Sequence, residues 1–175
     1  MNISLIGMMG SGKSTIAKIL REKLDNFSLV DTDSLIVEQE KVSINRIFAD
    51  KGEDYFRIIE SQILNDVLKK DNQIISTGGG IVVKDSNLNL LKDNSIVFFL
   101  SADDSILFDR VKNNDERPLL NDVDIKERIK NLLCLRLSQY EKAHYTIDTN
   151  YKTPETVANE IIRKLGLDAN HWSKN

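Results

Sequence analysis

Cysteine is almost missing from this sequence. Cys134 stands alone among 175 residues, so no disulfide can close within the chain, and a reducing compartment is the simplest setting. Neither charge sign dominates: 24 Lys and Arg stand against 27 Asp and Glu. A nucleic-acid binder would carry a basic excess or stripe, and none is present. No apolar run approaches the ~20 residues that cross a bilayer. The N-terminus lacks a cationic segment ahead of its apolar stretch, and a glycine-rich loop interrupts that stretch at once, so a signal peptide is not expected. Internal repeats, low-complexity tracts and clear linkers are also lacking. These exclusions predict a cytoplasmic protein with one compact domain over residues 1–166 and a short tail, 167–175. Apolar residues make up 41% of the chain, enough for a core. No interface signature stands out, and a monomer is expected. Cys134 lies in an apolar run with Leu132, Leu133 and Leu135 and reads as core.

The apolar pattern alternates between short runs and helical periods. Asn2–Ile6, Phe27–Val30, Gln73–Ser76, Ser95–Leu100 and Tyr145–Ile147 read as strands. Lys13–Leu24 has helical spacing, with Ile16, Ile19, Leu20 and Leu24 on one side. Residues 34–70 read as mostly helical, with Ser43 as a cap for one segment. Asp103–Val111 and Val123–Lys142 read as further helices. Thr153 caps a final one, with Pro154 at its first position. Residues 112–122 are polar, interrupted by Pro118, and read as an exposed loop. Strands alternating with helices predict a three-layer αβα fold around a mainly five-stranded parallel sheet.

Between the first strand and the first helix lies Gly7-Met8-Met9-Gly10-Ser11-Gly12-Lys13-Ser14, which fits the phosphate-loop (P-loop) pattern in the required context. Glycines let backbone N–H groups turn inward and wrap phosphate oxygens. The helix that follows aims its positive end at the same anion. Lys13 is placed to put a charge on the β- and γ-phosphates, and the Ser14 hydroxyl to ligate Mg²⁺. Gly10, Ser11, Gly12, Lys13, Ser14 and Thr15 are the expected nucleotide contacts. A guanine-reading Asn/Thr-Lys-x-Asp segment is absent, which argues against a GTPase, and a motor ATPase would usually be larger. A small-molecule or nucleotide kinase remains.

Five further segments occur in order. They are Asp31-Thr32-Asp33, Gly52-Glu53-x-x-Phe56-Arg57-x-x-Glu60, Thr77-Gly78-Gly79-Gly80, Arg117-Pro118-Leu119-Leu120 and Arg136-x-x-x-Tyr140. With the P-loop, this set resembles the shikimate kinase family from about residue 2 to residue 166. The resemblance implies ATP-dependent phosphorylation of the shikimate 3-hydroxyl, with Mg²⁺. Arg57 and Arg136 would supply cationic forks for the substrate carboxylate. Asp33 would accept a hydrogen bond from the attacking hydroxyl, and Gly78, Gly79 and Gly80 would let substrate approach backbone N–H groups. Asp31 would reach Mg²⁺ through water. Arg117 would close on the transferring phosphoryl group from a mobile lid over 112–122. Arg110 and Thr153 would flank adenine, and Phe48 and Phe56 would wall the substrate.

Taken without the family, the same residues have plainer uses. Arg57 and Glu60, three apart on a helix, suit a surface ion pair. Asp33 suits a helix N-cap, Asp31 a strand end, Gly78–Gly80 a loop, Arg117 a solvated cation, and Phe48 and Phe56 core. Arg136 on an apolar face is harder to explain, because burying it unpaired would be costly. Gluconate kinases and nucleoside monophosphate kinases are competing activities on the same scaffold, and a non-catalytic nucleotide-binding protein is a third reading. The family pattern also has departures here. Met8 and Met9 in the loop read as packing residues, and Ile81 and Val82 follow the glycines where smaller residues are usual.

Overall fold

The structure is a computed structural model that describes residues 1–112 and 122–167, without the side chains of 122–124. Five strands form one sheet: β1 (Ile3–Ile6), β2 (Ser28–Asp31), β3 (Gln73–Ser76), β4 (Ile96–Ser101) and β5 (Tyr145–Asp148). All four pairings are parallel and the order is β2-β3-β1-β4-β5. The helices described are α1 (Lys13–Lys23), α2 (Thr32–Glu40), α3 (Ile44–Val67), α4 (Asp85–Asn94), α5 (Asp104–Lys112), α6 (Asp122–Tyr140) and α7 (Pro154–Lys164).

The continuous apolar strands follow from burial on both faces. Ile3, Leu5, Ile74, Phe98 and Leu100 meet α1 and α7 through Ile16, Leu20, Val157 and Ile161. Ile6, Ile75, Val97 and Phe99 point the other way, to Leu64, Leu88, Leu107, Ile129 and Tyr140. Alternate residues therefore feed opposite layers, and the expected αβα sandwich is what forms. A third, smaller cluster of Ile36, Ile47, Phe56 and Ile59 holds α2 against α3. Phe56 is thus core, with Phe48 half-buried beside it at 4.6 Å between ring centroids.

Ser43 caps α3 by accepting from the Arg46 N–H at 3.3 Å, and Thr153 caps α7 by accepting from Thr156 at 3.2 Å. Within α3 the helix breaks at Gly52, whose φ of 81° and ψ of 173° turn the chain before Tyr55 and Phe56. The strand ahead of α2 ends on Asp31, and Asp31, not Asp33, is the N-cap: its Oδ1 accepts from the Ser34 N–H at 3.0 Å. Two elements were not foreseen, α4 and a 3-10 turn over Ile81–Val83. Cys134 is exposed and not core. The inward stripe of α6 runs through Ile125, Ile129, Leu132, Leu133, Arg136 and Tyr140, and this spacing turns Cys134 and Leu135 outward. The expected lid, apart from its end residues Lys112 and Asp122, lies outside the described residues, and with it Arg117. So does the tail beyond Leu167.

Candidate active site

The carboxyl ends of β1, β2 and β3 converge where strand order reverses around β1, the usual place for a ligand crevice in such a sheet. The P-loop leaves β1 here. Gly10 and Gly12 take φ values of 80° and 93°, a region other residues rarely adopt. Lys13 folds back into the loop: Nζ donates to the carbonyls of Gly7 and Met8, each at 2.9 Å. Burial pulls the Lys13 ammonium down to about 8, opposed by the negative charges of Asp33 and Asp31.

Ser14 stands at the start of α1. Its hydroxyl donates to Asp31 Oδ2 at 3.2 Å and lies 3.2 Å from Ser76 Oγ. Three oxygens from α1, β2 and β3 thereby meet at one point. A hard divalent cation such as Mg²⁺ prefers oxygen donors and keeps much of its water, and this set fits it. Asp31 was expected there; Ser76 was not, because a serine at a strand end carries no signal of its own.

The triple-glycine turn follows β3 and joins two halves of the site. A Cβ on Gly79 would lie 3.4 Å from the Gly7 carbonyl oxygen and 3.5 Å from the Met9 nitrogen, so this turn packs directly on the P-loop. A Cβ on Gly78 would come within 2.5 Å of Asp33 Oδ1. One on Gly80 would overlap the Arg57 guanidinium. A side chain at Gly78 or Gly80 would therefore have to displace the Asp33 carboxylate or the Arg57 guanidinium from the site. The turn is held by Thr32, whose buried Oγ1 accepts from the Gly78 N–H at 3.2 Å, and by Thr77, whose hydroxyl donates to the Leu5 carbonyl at 3.0 Å.

Arg57 is not a surface residue. Its side chain is 8% exposed and its partner Glu60 only 1%. Nη1 donates to Glu60 Oε2 at 2.7 Å, while Nε and Nη2 both reach Glu53 Oε1, at 3.2 and 2.9 Å. Burial pushes the Glu60 carboxyl up from the usual carboxylate range, against the pull of Arg57. The Glu60 group also feels Asp33 and Arg136, which places all four charges around one region. Arg136 reaches that region from α6, donating from Nη1 to the Gly79 carbonyl at 3.3 Å. Asp33, Arg57, Gly78–Gly80 and Arg136 are therefore brought together beside Lys13.

Arg110 and Thr153 are placed differently. Arg110 Nη2 donates to the Thr149 carbonyl at 2.8 Å, and Nη1 to Thr149 Oγ1 at 3.1 Å and to the Gly10 carbonyl at 3.4 Å. It ties the P-loop to the end of β5. Thr149 gave no signal in the sequence. Thr153 is exposed and occupied with capping α7. A mostly apolar cleft of about 460 Å³ opens beside the edge strand β2, lined by Leu29, Leu35, Ile63 and Val67 among others. It touches Asp31 and Ser34 but none of Lys13, Arg57, Gly78–Gly80 or Arg136, so it is not the site assembled above.

A family model, two sequence relatives and one solved structure agree on one family. The family model for shikimate kinase matches residues 9–166. A shikimate kinase of Thermodesulfovibrio yellowstonii is 42% identical over 163 residues, which is 93% of this chain and 94% of the relative. One of Dehalococcoides mccartyi is 44% identical over 165 residues, 94% of this chain and 93% of the relative. Among solved structures, the shikimate kinase of Acinetobacter baumannii in complex with shikimate superposes with a TM-score of 0.87 at 31% identity, covering 98% of this chain and 95% of that one. With a matched segment that begins inside the P-loop and runs past the Arg136 helix to the end of α7, the chain belongs to the shikimate kinase family.

Proposed function

We propose that this chain transfers the γ-phosphoryl group of ATP to the 3-hydroxyl of shikimate, releasing ADP and 3-phosphoshikimate. The observation that carries this reading is the shared wall. The triple-glycine turn touches the P-loop at Gly79 and, within one residue on either side, touches Asp33 and Arg57. An organic acid gripped by arginines would then lie against the loop that holds the phosphates. The A. baumannii relative, described with shikimate bound, supports that choice of acid.

Phosphoryl transfer asks the protein mainly for in-line positioning and charge cancellation. Lys13 would leave its loop carbonyls for the β- and γ-phosphates. Ser14 would hold Mg²⁺ directly and Asp31 through water, with Ser76 orienting the Ser14 hydroxyl; the ion would neutralise phosphate charge. Arg57 and Arg136 would grip the shikimate carboxylate, with Glu60 and Glu53 fixing the Arg57 fork. Asp33 would accept the hydrogen bond of the attacking hydroxyl and take its proton as the new O–P bond forms and the bond to ADP breaks. The finger role of Arg117 and lid role of 112–122 rest on the resemblance, as does adenine contact by Arg110 and Thr153. Among the described residues, no helix is long and apolar enough to cross a membrane. A cytoplasmic monomer without nucleic-acid partners, with one domain over residues 1–166, completes the reading.

An ADP-release assay with and without shikimate tests the activity. Release is expected to depend on shikimate, and release driven by gluconate or a nucleoside monophosphate instead would overturn the proposal. The carboxylate grip is tested separately. Arg136→Ala should raise the shikimate KM by about 100-fold, the scale of losing a charge-assisted hydrogen bond, with the ATP KM changed less than threefold. Equal losses for both ligands would count against the grip.

Lys13 predicts a proton linkage. Phosphate oxygens favour its ammonium form, so nucleotide binding should take up a proton wherever the free enzyme holds Lys13 neutral. With Lys13 at about 8, binding at pH 8.5 should take up about three-quarters of a proton, and affinity should fall as pH rises above 8. Calorimetry of ADP binding in buffers of different ionisation enthalpy measures the uptake. In Lys13→Met it should vanish, and an unchanged uptake there would assign the proton elsewhere.

A further inference from the structure

Tyr140 follows Arg136 by one helical turn on α6 and is fully buried. Its ring stacks on Phe99 of β4, centroids 4.9 Å apart with 12° between planes. Its hydroxyl donates to the Gly79 carbonyl, the same oxygen that Arg136 Nη1 reaches at 3.3 Å. Two donors from one helix thus converge on one backbone acceptor in the middle of the triple-glycine turn. Burial pushes the phenol up to about 12, so its O–H stays a donor across the neutral range.

A peptide between two glycines is poorly fixed by its own chain, because neither residue has a Cβ to restrict φ and ψ. Among the described residues there are no cis peptide bonds. In a trans peptide the Gly79 C=O and the Gly80 N–H share one plane and point in opposite directions. Pinning the oxygen to α6 therefore directs the Gly80 N–H away from α6, at the residue whose Cα sits against the Arg57 guanidinium.

We infer that Tyr140 is a positioning residue for the phosphoryl acceptor: its hydroxyl locks the Gly79–Gly80 peptide, so that the Gly80 N–H is held as a fixed donor beside the Arg57 fork for the acceptor's carboxylate. This rests on the reading of Arg57, Arg136 and the glycine turn as the shikimate pocket. The phenyl ring supplies packing, and the hydroxyl supplies substrate affinity.

Tyr140→Phe keeps the stack on Phe99 and leaves the Gly79 carbonyl with Arg136 as its donor, so the variant should fold. Its shikimate KM should rise about tenfold, the scale of one buried hydrogen bond, with the ATP KM within twofold. Phe99→Leu is the packing control: it should lower the melting temperature and leave the shikimate KM within twofold. A Tyr140→Phe enzyme with unchanged shikimate KM overturns the inference. So does one whose two KM values rise together, or one that Phe99→Leu mimics. If Arg136→Ala leaves shikimate affinity intact, the pocket reading itself fails. If Arg136→Ala weakens it and Tyr140→Phe does not, only the role of Tyr140 falls.

Discussion

Lys13→Ala should reduce kcat by about 10³-fold, equivalent to ~4 kcal/mol of transition-state stabilisation. The size follows from where the ammonium lies. Its Nζ is 2.9 Å from two carbonyls of the loop that wraps the phosphates, inside a buried site where a charge is poorly screened. No other lysine stands in this loop, and the loop amides contribute only dipoles. The loss should appear at saturating ATP and shikimate, because in the proposed mechanism the lysine acts on the transferring group and not on the adenine end. Folding should survive. Burial already disfavours the ammonium, as its fall to about 8 records, and the Met8 carbonyl keeps the Ser11 N–H as a donor at 3.2 Å. Steady-state kinetics with a thermal melt check both halves. A kcat within tenfold of the parent would remove Lys13 from the reaction.

Asp33→Asn should lower kcat by about 10²- to 10³-fold, the usual range for a positioned proton acceptor, with a smaller change in shikimate KM. Asparagine matches aspartate in size and keeps one acceptor oxygen. A group that merely received a hydrogen bond would lose little. The carboxylate lies against Gly78, between the P-loop lysine and the Arg57–Glu60 pair, where the proposed mechanism puts the acceptor hydroxyl. Its charge is also the larger of the two that favour the Lys13 ammonium. In Asp33→Asn the lysine of the free enzyme should therefore lose its proton at lower pH, and the alkaline limb of the pH profile of kcat/KM for ATP, which reports the free enzyme, should shift downward. A variant with parental kcat and an unmoved profile would leave Asp33 as a helix residue only.

The Gly80 position shows how tightly the two halves are coupled. Its backbone lies so close to the Arg57 guanidinium that any side chain there must displace it. Arg57 in turn is fixed by Glu53 and Glu60, one helical turn before and after. Spacing alone allowed a surface pair for Arg57 and Glu60, and burial removed that option. The same helix period that placed those partners on one face turns Cys134 outward. A run of apolar letters in α6 suggested a core, yet only every third or fourth residue can face inward.

Other differences have equally local causes. The Asp31-Thr32-Asp33 segment signals a helix start, but spacing cannot decide which aspartate caps it. The Ser34 N–H, which donates to Asp31 Oδ1, decides in favour of Asp31, and the register of β2 on β3, with Asp31 opposite Ser76, brings it to Ser14. Helix α4 was missed because only Asn87, Leu88 and Leu91 are buried in its ten residues, too few to print a period on a polar sequence.

What the sequence determined unaided is everything whose physics is contiguous. The P-loop needs eight adjacent residues, caps need four, and strands buried on both faces need only unbroken apolar runs. What the tertiary structure decided is the pocket. Arg57 and Arg136 lie 79 positions apart, and they share an acceptor region only because β3 threads between β2 and β1 and delivers its glycine turn to both the P-loop and α6. Hydrogen bonds and charges act over a few ångströms, so chain distance does not record them, and the fold alone makes such residues neighbours.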